Sequence, residues 1–251
     1  GYIGRQLVEE MAADRSHFAR IVAADIRLPD EHERLQGVDY READVRDPAL
    51  ARHLTEHGID AVVHLAAIVT PGKETSRELQ HSIDVGGTEN VLSACLEAGV
   101  ERIVITSSGA AYGYHADNPE WLTEEDALRG NPEFAYSDHK RQVEEMLSRR
   151  REEAPELEQL ILRPGTILGA GTRNQITGLF EGTRILQLSG SPSPFVLIWD
   201  RDVVGAILHG LIHRKSGIYN LAGDGALTIG EMAEMMGKPV ITLPVPLVKA
   251  A

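Results

Sequence analysis

The chain has 251 residues, 42% hydrophobic and 25% charged, the make-up of an ordinary globular protein with one sizeable core. Its formal charge of −13, from 25 basic against 38 acidic side chains with no basic cluster, repels phosphate backbones and argues against nucleic acid as a partner. No apolar run reaches the roughly 18 residues that span a bilayer, no leader pattern is visible, and the single Cys95 excludes an internal disulfide, so a cytoplasmic protein with no membrane partner is expected.

The first element in chain order is a helix. Gly1-Tyr2-Ile3-Gly4 leads directly into the apolar spacing Ile3, Leu7, Val8 and Met11, so a strand and its turn, about ten residues, are expected ahead of Gly1. Short apolar runs follow: Ile21 to Ala24 closing on Asp25, Val38 to Ala43 closing on Asp44, Ala61 to Leu65, Arg102 to Thr106, and Gln159 to Leu162. Helical spacing occupies 48–57, 76–98 and 137–151 between them. Uninterrupted apolar strands alternating with helices predict an α/β fold, a doubly wound parallel sheet covered on both faces and joined by right-handed crossovers. The turn-rich stretch 114–133 and the Gly-, Ser- and Pro-rich stretch 170–195 read as loops over the carboxyl ends of the strands, where such sheets place ligands. Cys95 lies in the apolar spacing of Val91, Leu92 and Leu96 and is expected as a buried core thiol.

Gly1 and Gly4, with Tyr2 and Ile3 between them, have the spacing of the last two glycines in a phosphate-binding turn. The helix that starts there offers unpaired N–H groups and its positive dipole end to a pyrophosphate. Asp25 follows Gly4 by 21 residues and closes the next strand, where a carboxylate accepts hydrogen bonds from an adenosine ribose. Such a carboxylate repels a 2′-phosphate and selects NAD over NADP; Arg27, two residues on, is the feature that keeps NADP in view. Asp44, after the third expected strand, is placed to meet the adenine.

Tyr136 and Lys140 stand four residues apart, on one helical face. A phenol of ordinary pKa near 10 is a poor base at neutral pH, and a nearby ammonium pulls that pKa down. Upstream, Thr106-Ser107-Ser108 ends a strand and puts a hydroxyl at the carboxyl edge of the sheet.

With Gly1 to Gly4, Asp25, Asp44-Val45, His64-Leu65-Ala66-Ala67, Val85-Gly86-Gly87-Thr88-Glu89-Asn90, Ser107 to Gly113, Tyr136 to Lys140 and Leu162-Arg163-Pro164-Gly165 in this order, the sequence resembles the extended short-chain dehydrogenase/reductases, in particular the NAD-dependent epimerase/dehydratase group. The resemblance implies a Rossmann-type doubly wound parallel sheet over 1–165, with 196–222 returning to it. A small C-terminal substrate-binding lobe would come from 166–195 and 223–251. It implies Tyr136 as general acid/base, Lys140 as the residue that holds the nicotinamide ribose and lowers the tyrosine pKa, and Ser108 as the hydrogen-bond partner of the reacting oxygen. Val45, Leu65, Ala66, Ala67 and Pro164 would line the cofactor cleft, His64 would pack at a strand end, and no metal is implied. The helices near 76–98 and 137–151 form a four-helix interface in many members, so a homodimer is expected by analogy.

Three departures narrow the function. Asp84 stands where the family usually has asparagine, and a carboxylate accepts but does not donate. Gly109-Ala110 replace the acidic pair that 4,6-dehydratases carry after the serine, which removes the acid and base of β-elimination. Ser193-Pro194 stand where many sugar-nucleotide enzymes have an arginine for the diphosphate; Arg173, Arg184 and Arg201 are the nearby alternatives, each read as an ordinary surface cation. The leading expectation is an NAD-dependent epimerase or oxidoreductase acting on a sugar or sugar-nucleotide hydroxyl. The second is a dehydrogenase or reductase of a smaller or apolar, hydroxysteroid-like carbonyl, motivated by the missing arginine and the apolar run from Phe195 to Trp199. The third is an NAD-binding sensor or scaffold without chemistry, disfavoured because Tyr136 and Lys140 are both present.

Overall fold

The computed structural model describes residues 1–190 and 194–244. Its first half contains α1 (Tyr2–Ala13), β1 (Val22–Asp25), β2 (Asp39–Glu42), α2 (Leu50–Glu56), β3 (Ala61–His64), α3 (Arg77–His81) and α4 (Gly87–Ala98). β4 (Arg102–Thr106), α5 (Ala135–Glu153) and β5 (Glu158–Pro164) follow. The remainder holds β6 (Thr166–Leu168), α6 (Gln175–Gly178), β7 (Ile185–Leu188), β8 (Leu197–Trp199), α7 (Asp200–Ile212), β9 (Gly217–Leu221), α8 (Ile229–Met235) and β10 (Val240–Leu243).

The central sheet is parallel, in the order β3-β4-β5-β9. Side chains alternate across it, which explains why the strand sequences read as continuous apolar runs. Ile103, Ile105 and Ile161 face α4 and α5, where they pack with Leu92, Cys95, Val143 and Leu147. Val104, Leu160 and Leu162 face α1 and α7, against Leu7, Val203, Val204 and Ile207. Two helical layers thus bury both faces of one sheet. Cys95 is fully buried, and burial pushes its thiol up to about 12.

The structure departs from the sequence reading in three places. The expected single sheet is divided: β1 pairs β2 in parallel, and among the described residues no ladder joins that pair to β3. The helix expected over 76–98 is broken into α3 and α4 by a π turn at Ser82–Gly86, whose wider loop turns Asp84 inward. The stretch expected as a loop, 170–195, contains α6 and β7, which pairs β10, and β6 pairs β8 in a separate ladder. β9 joins β5 and so brings residues 217–221 back to the central sheet. Among the described residues, no helix is long and apolar enough to cross a membrane.

Candidate active site

β4 carries the chain to Ser107 and Ser108 at its carboxyl end, and Ser108 caps a 3-10 turn at Gly109–Tyr112 by accepting a hydrogen bond from Ala110 N at 3.1 Å. α5 starts beside this turn, because Ser137 Oγ donates to Ala110 O at 2.7 Å. One face of α5 then meets the end of β4. Lys140 is buried on that face, donates from Nζ to Thr106 O at 2.9 Å, and lies 5.7 Å from the centre of the Tyr136 ring. Ser108, Tyr136 and Lys140 are therefore brought together. The phenol pKa moves upward, however, where the spacing argument predicts a fall. Burial deprives the phenolate of water, the Ser108 hydroxyl offsets this in part, and the charge of Asp84 adds to the rise. Burial likewise lowers the Lys140 pKa, against the pull of Asp84 and Glu144.

Asp84 is 4% exposed, and its setting explains the departure at this position. Its carboxylate accepts from Ile68 N at 2.8 Å and faces His139 Nδ1 at 3.0 Å. Both partners can donate, which suits an acceptor-only group. The first bond fixes the loop after β3, with Leu65, Ala66 and Ala67; the second ties that loop to α5. His64 hydrogen-bonds Thr88 Oγ1 at 3.0 Å, and Thr88 spends its own proton on Asp84 O at 2.6 Å, so His64 Nε2 is assigned the hydrogen. Burial, then the charge of Lys140, depresses the His64 pKa to about 4. His64 is a neutral packing residue.

A second polar knot has no local signal in the sequence. Glu144, one turn beyond Lys140, accepts from Ser107 Oγ at 2.5 Å and pairs with Arg163 at 2.5 Å. Arg163 also donates to Tyr112 Oη at 2.7 Å, and Tyr112 donates on to Asn220 Oδ1 at 2.8 Å. These bonds clamp the Ser108 turn to α5, β5 and β9.

The expected cofactor residues lie along the same edge. The start of α1 lies against the end of β1, with Gly1 3.1 Å from the Asp25 carboxylate. No side chain caps the start of α1, and the first N–H groups of such a helix are donors suited to an anionic diphosphate. Gly4 packs on Leu65, whose Cδ1 lies 3.6 Å from where a Cβ would stand, and Ile3 packs into the core beneath. Tyr2 turns away from the turn: its hydroxyl donates to Asp200 Oδ2 at 2.5 Å and accepts from Gly171 N at 3.3 Å. Asp44 is engaged by Arg46 at 2.6 Å, which holds its pKa at about 2, and neighbouring Val45 packs against the core formed with α4. Pro164 closes β5 and is buried opposite Gly109. Arg27, Arg173 and Arg184 are exposed, and Arg201 pairs with Glu10 at 2.7 Å. Ser193 lies outside the described residues. Among the described residues no cluster of His, Cys, Asp and Glu could hold a metal.

Comparison with known proteins gives this edge a context. The NAD dependent epimerase/dehydratase family model matches residues 1–222. An uncharacterized protein of Mycobacterium bovis is 25% identical over 98% of this chain and 64% of its own length. The chain thus spans a little under two thirds of the first curated relatives it matches. The N-acetyl-alpha-D-glucosaminyl-diphospho-ditrans,octacis-undecaprenol 4-epimerase of Escherichia coli O157:H7 is 28% identical over 98% of this chain and 74% of its own. Among solved structures, MoeE5 in complex with UDP-glucose and NAD superposes with a TM-score of 0.76 at 27% identity, covering 97% of this chain and 82% of that one.

Proposed function

Since the chain belongs to the NAD dependent epimerase/dehydratase family, we propose that it moves a hydride and a proton at a hydroxyl or ketone of a sugar or sugar nucleotide, with NAD as cofactor. The observation that carries this reading is the meeting of Ser108, Tyr136 and buried Lys140 at the end of β4. NAD, when bound, supplies the hydride-accepting ring. Its pyrophosphate suits the uncapped start of α1, and its adenosine ribose suits Asp25. Tyr136 takes the proton of the substrate hydroxyl, while Ser108 holds the oxygen it leaves. Lys140 carries a positive charge beside the ring and steadies the phenolate once it forms. Neither Gly109 nor Ala110 offers an acid or base, so epimerisation or simple oxidoreduction fits better than 4,6-dehydration.

The protein's division follows the same reading. Residues 1–165 with 196–222 are proposed to hold the cofactor, and 166–195 with 223–251 the substrate; 245–251 lie outside the described residues. A cytoplasmic homodimer formed through α4 and α5 completes the proposal, and light scattering on the purified protein tests its oligomeric part. The chemistry is tested by following turnover of nucleotide hexoses with NAD for the protein and for Tyr136→Phe. The substitution is expected to cut turnover by about 10²- to 10⁴-fold. NAD retained through purification and turnover supports epimerisation. Net NADH from apolar alcohols alone favours the reductase reading, and unchanged turnover in Tyr136→Phe favours binding without chemistry.

A further inference from the structure

We infer that Tyr114 and Phe134 form an aromatic wall beside Tyr136 that receives one face of the substrate's hexose ring and thereby selects what reaches the phenol. The inference rests on the function proposed above and adds a substrate-selecting site to it. The three rings make a ladder: Tyr114 and Phe134 have centroids 6.2 Å apart, and Phe134 and Tyr136 again 6.2 Å, with planes tilted by 37° and 44°. The ladder runs from solvent inward, since Tyr114 is 69% exposed and Phe134 37%. Large aromatic faces left open beside a reacting group are surface that a ligand covers.

The backbone under the wall is built rather than loose. Buried Asn131 holds both ring-bearing segments: its Oδ1 accepts from Tyr114 N at 2.7 Å, and its carbonyl oxygen accepts from Phe134 N at 2.9 Å. Gly113, just before Tyr114, has a left-handed φ of 80°, and a Cβ there would strike Gly130 O and the His115 ring. His115 in turn is hydrogen-bonded to Gly130 O at 2.7 Å. The wall is thus fixed before any ligand arrives, which lowers the ordering cost of binding.

Its dimensions and chemistry favour a sugar. Each exposed ring offers a face of about the size of one pyranose ring. The electron-rich aromatic faces attract the C–H side of a pyranose, whose hydroxyls then remain free at the rim. The Tyr114 phenol, at the open end of the ladder, is a hydrogen-bond donor at neutral pH and can reach a ring substituent.

The test uses the full chain with NAD and UDP-glucose or UDP-N-acetylglucosamine as probes, comparing Phe134→Ala, Tyr114→Ala and Phe134→Tyr. Each alanine variant is expected to raise KM for the nucleotide hexose by about tenfold and to leave kcat within about twofold. NAD affinity and Tm should not move, and Phe134→Tyr should restore KM. Saturation transfer from protein aromatic protons to the hexose C–H protons should be strong in the parent and weak in Phe134→Ala. Unchanged KM and unchanged saturation transfer in both alanine variants overturn the inference while leaving the proposed function standing. A parent protein that turns over no nucleotide hexose defeats the proposed function itself. A fall in Tm or NAD affinity that matches the KM change makes the wall structural and overturns the inference as well.

Discussion

Lys140 and Glu144 lie one turn apart on α5, both buried and both ionisable, yet their surroundings differ in kind. Glu144 is saturated: Ser107 and the forked guanidinium of Arg163 occupy its oxygens. Lys140 is not. Among the described residues its ammonium bonds one backbone carbonyl, that of Thr106, and no carboxylate stands within ion-pair distance. A buried charge with all its partners is part of the frame; a buried charge left short of partners is available to something that arrives later. One helix thus carries a structural turn and a chemical turn side by side.

The largest effect is expected from breaking the frame. Glu144→Gln keeps the shape but strands the Arg163 charge in the interior, and should cost about 3–5 kcal/mol of stability. The measurement is a shift of the urea midpoint at constant slope. A loss below about 1 kcal/mol would show that the knot is dispensable and erase the contrast with Lys140. Lys140→Met probes the other turn. It should lower turnover by about a hundredfold or more while leaving the urea midpoint where it was or above, because it removes a desolvated charge. An equal loss of stability and activity would mean that Lys140 is frame after all.

The smallest and sharpest effect concerns His64, whose depressed pKa owes part of its shift to Lys140. Its folded pKa of about 4 lies below the ordinary value of 6.5, so between those limits the unfolded chain binds the extra proton. Stability is therefore complete above pH 6.5 and is lost as pH falls toward 4, at most by about 1.4 kcal/mol per pH unit. His64→Asn should flatten that slope, and Lys140→Met should shorten it by letting the His64 pKa rise. If neither variant changes the acid limb of Tm against pH, His64 does not sense Lys140.

How much of this was legible beforehand depends on whether a feature is local. β4 is legible at its observed limits, and β3 and β5 within a few residues, because their apolar residues are contiguous in sequence. Tyr136 and Lys140 were legible because helical spacing makes them neighbours. The His139–Asp84 contact spans 55 residues and depends on a π turn that no local pattern announces. The only sign was Asp84 itself, a carboxylate where an amide was expected. The Glu144–Arg163 pair is 19 residues apart on different elements, and periodicity within either element does not reveal it. β7 and β10 were missed for a similar reason, since each is short and finds its partner across more than fifty residues.

Cys95 gives the molecule a built-in clock. As the chain's one thiol, it is sealed between α4 and the central sheet with its pKa pushed to about 12. A thiol reagent in mildly alkaline solution therefore has nothing to attack until the core opens. Its labelling rate counts those openings, and the ratio to the rate on an unstructured peptide gives their free energy without denaturant. The cost of stranding Arg163 could thus be read as a change in how often one sulfur meets water.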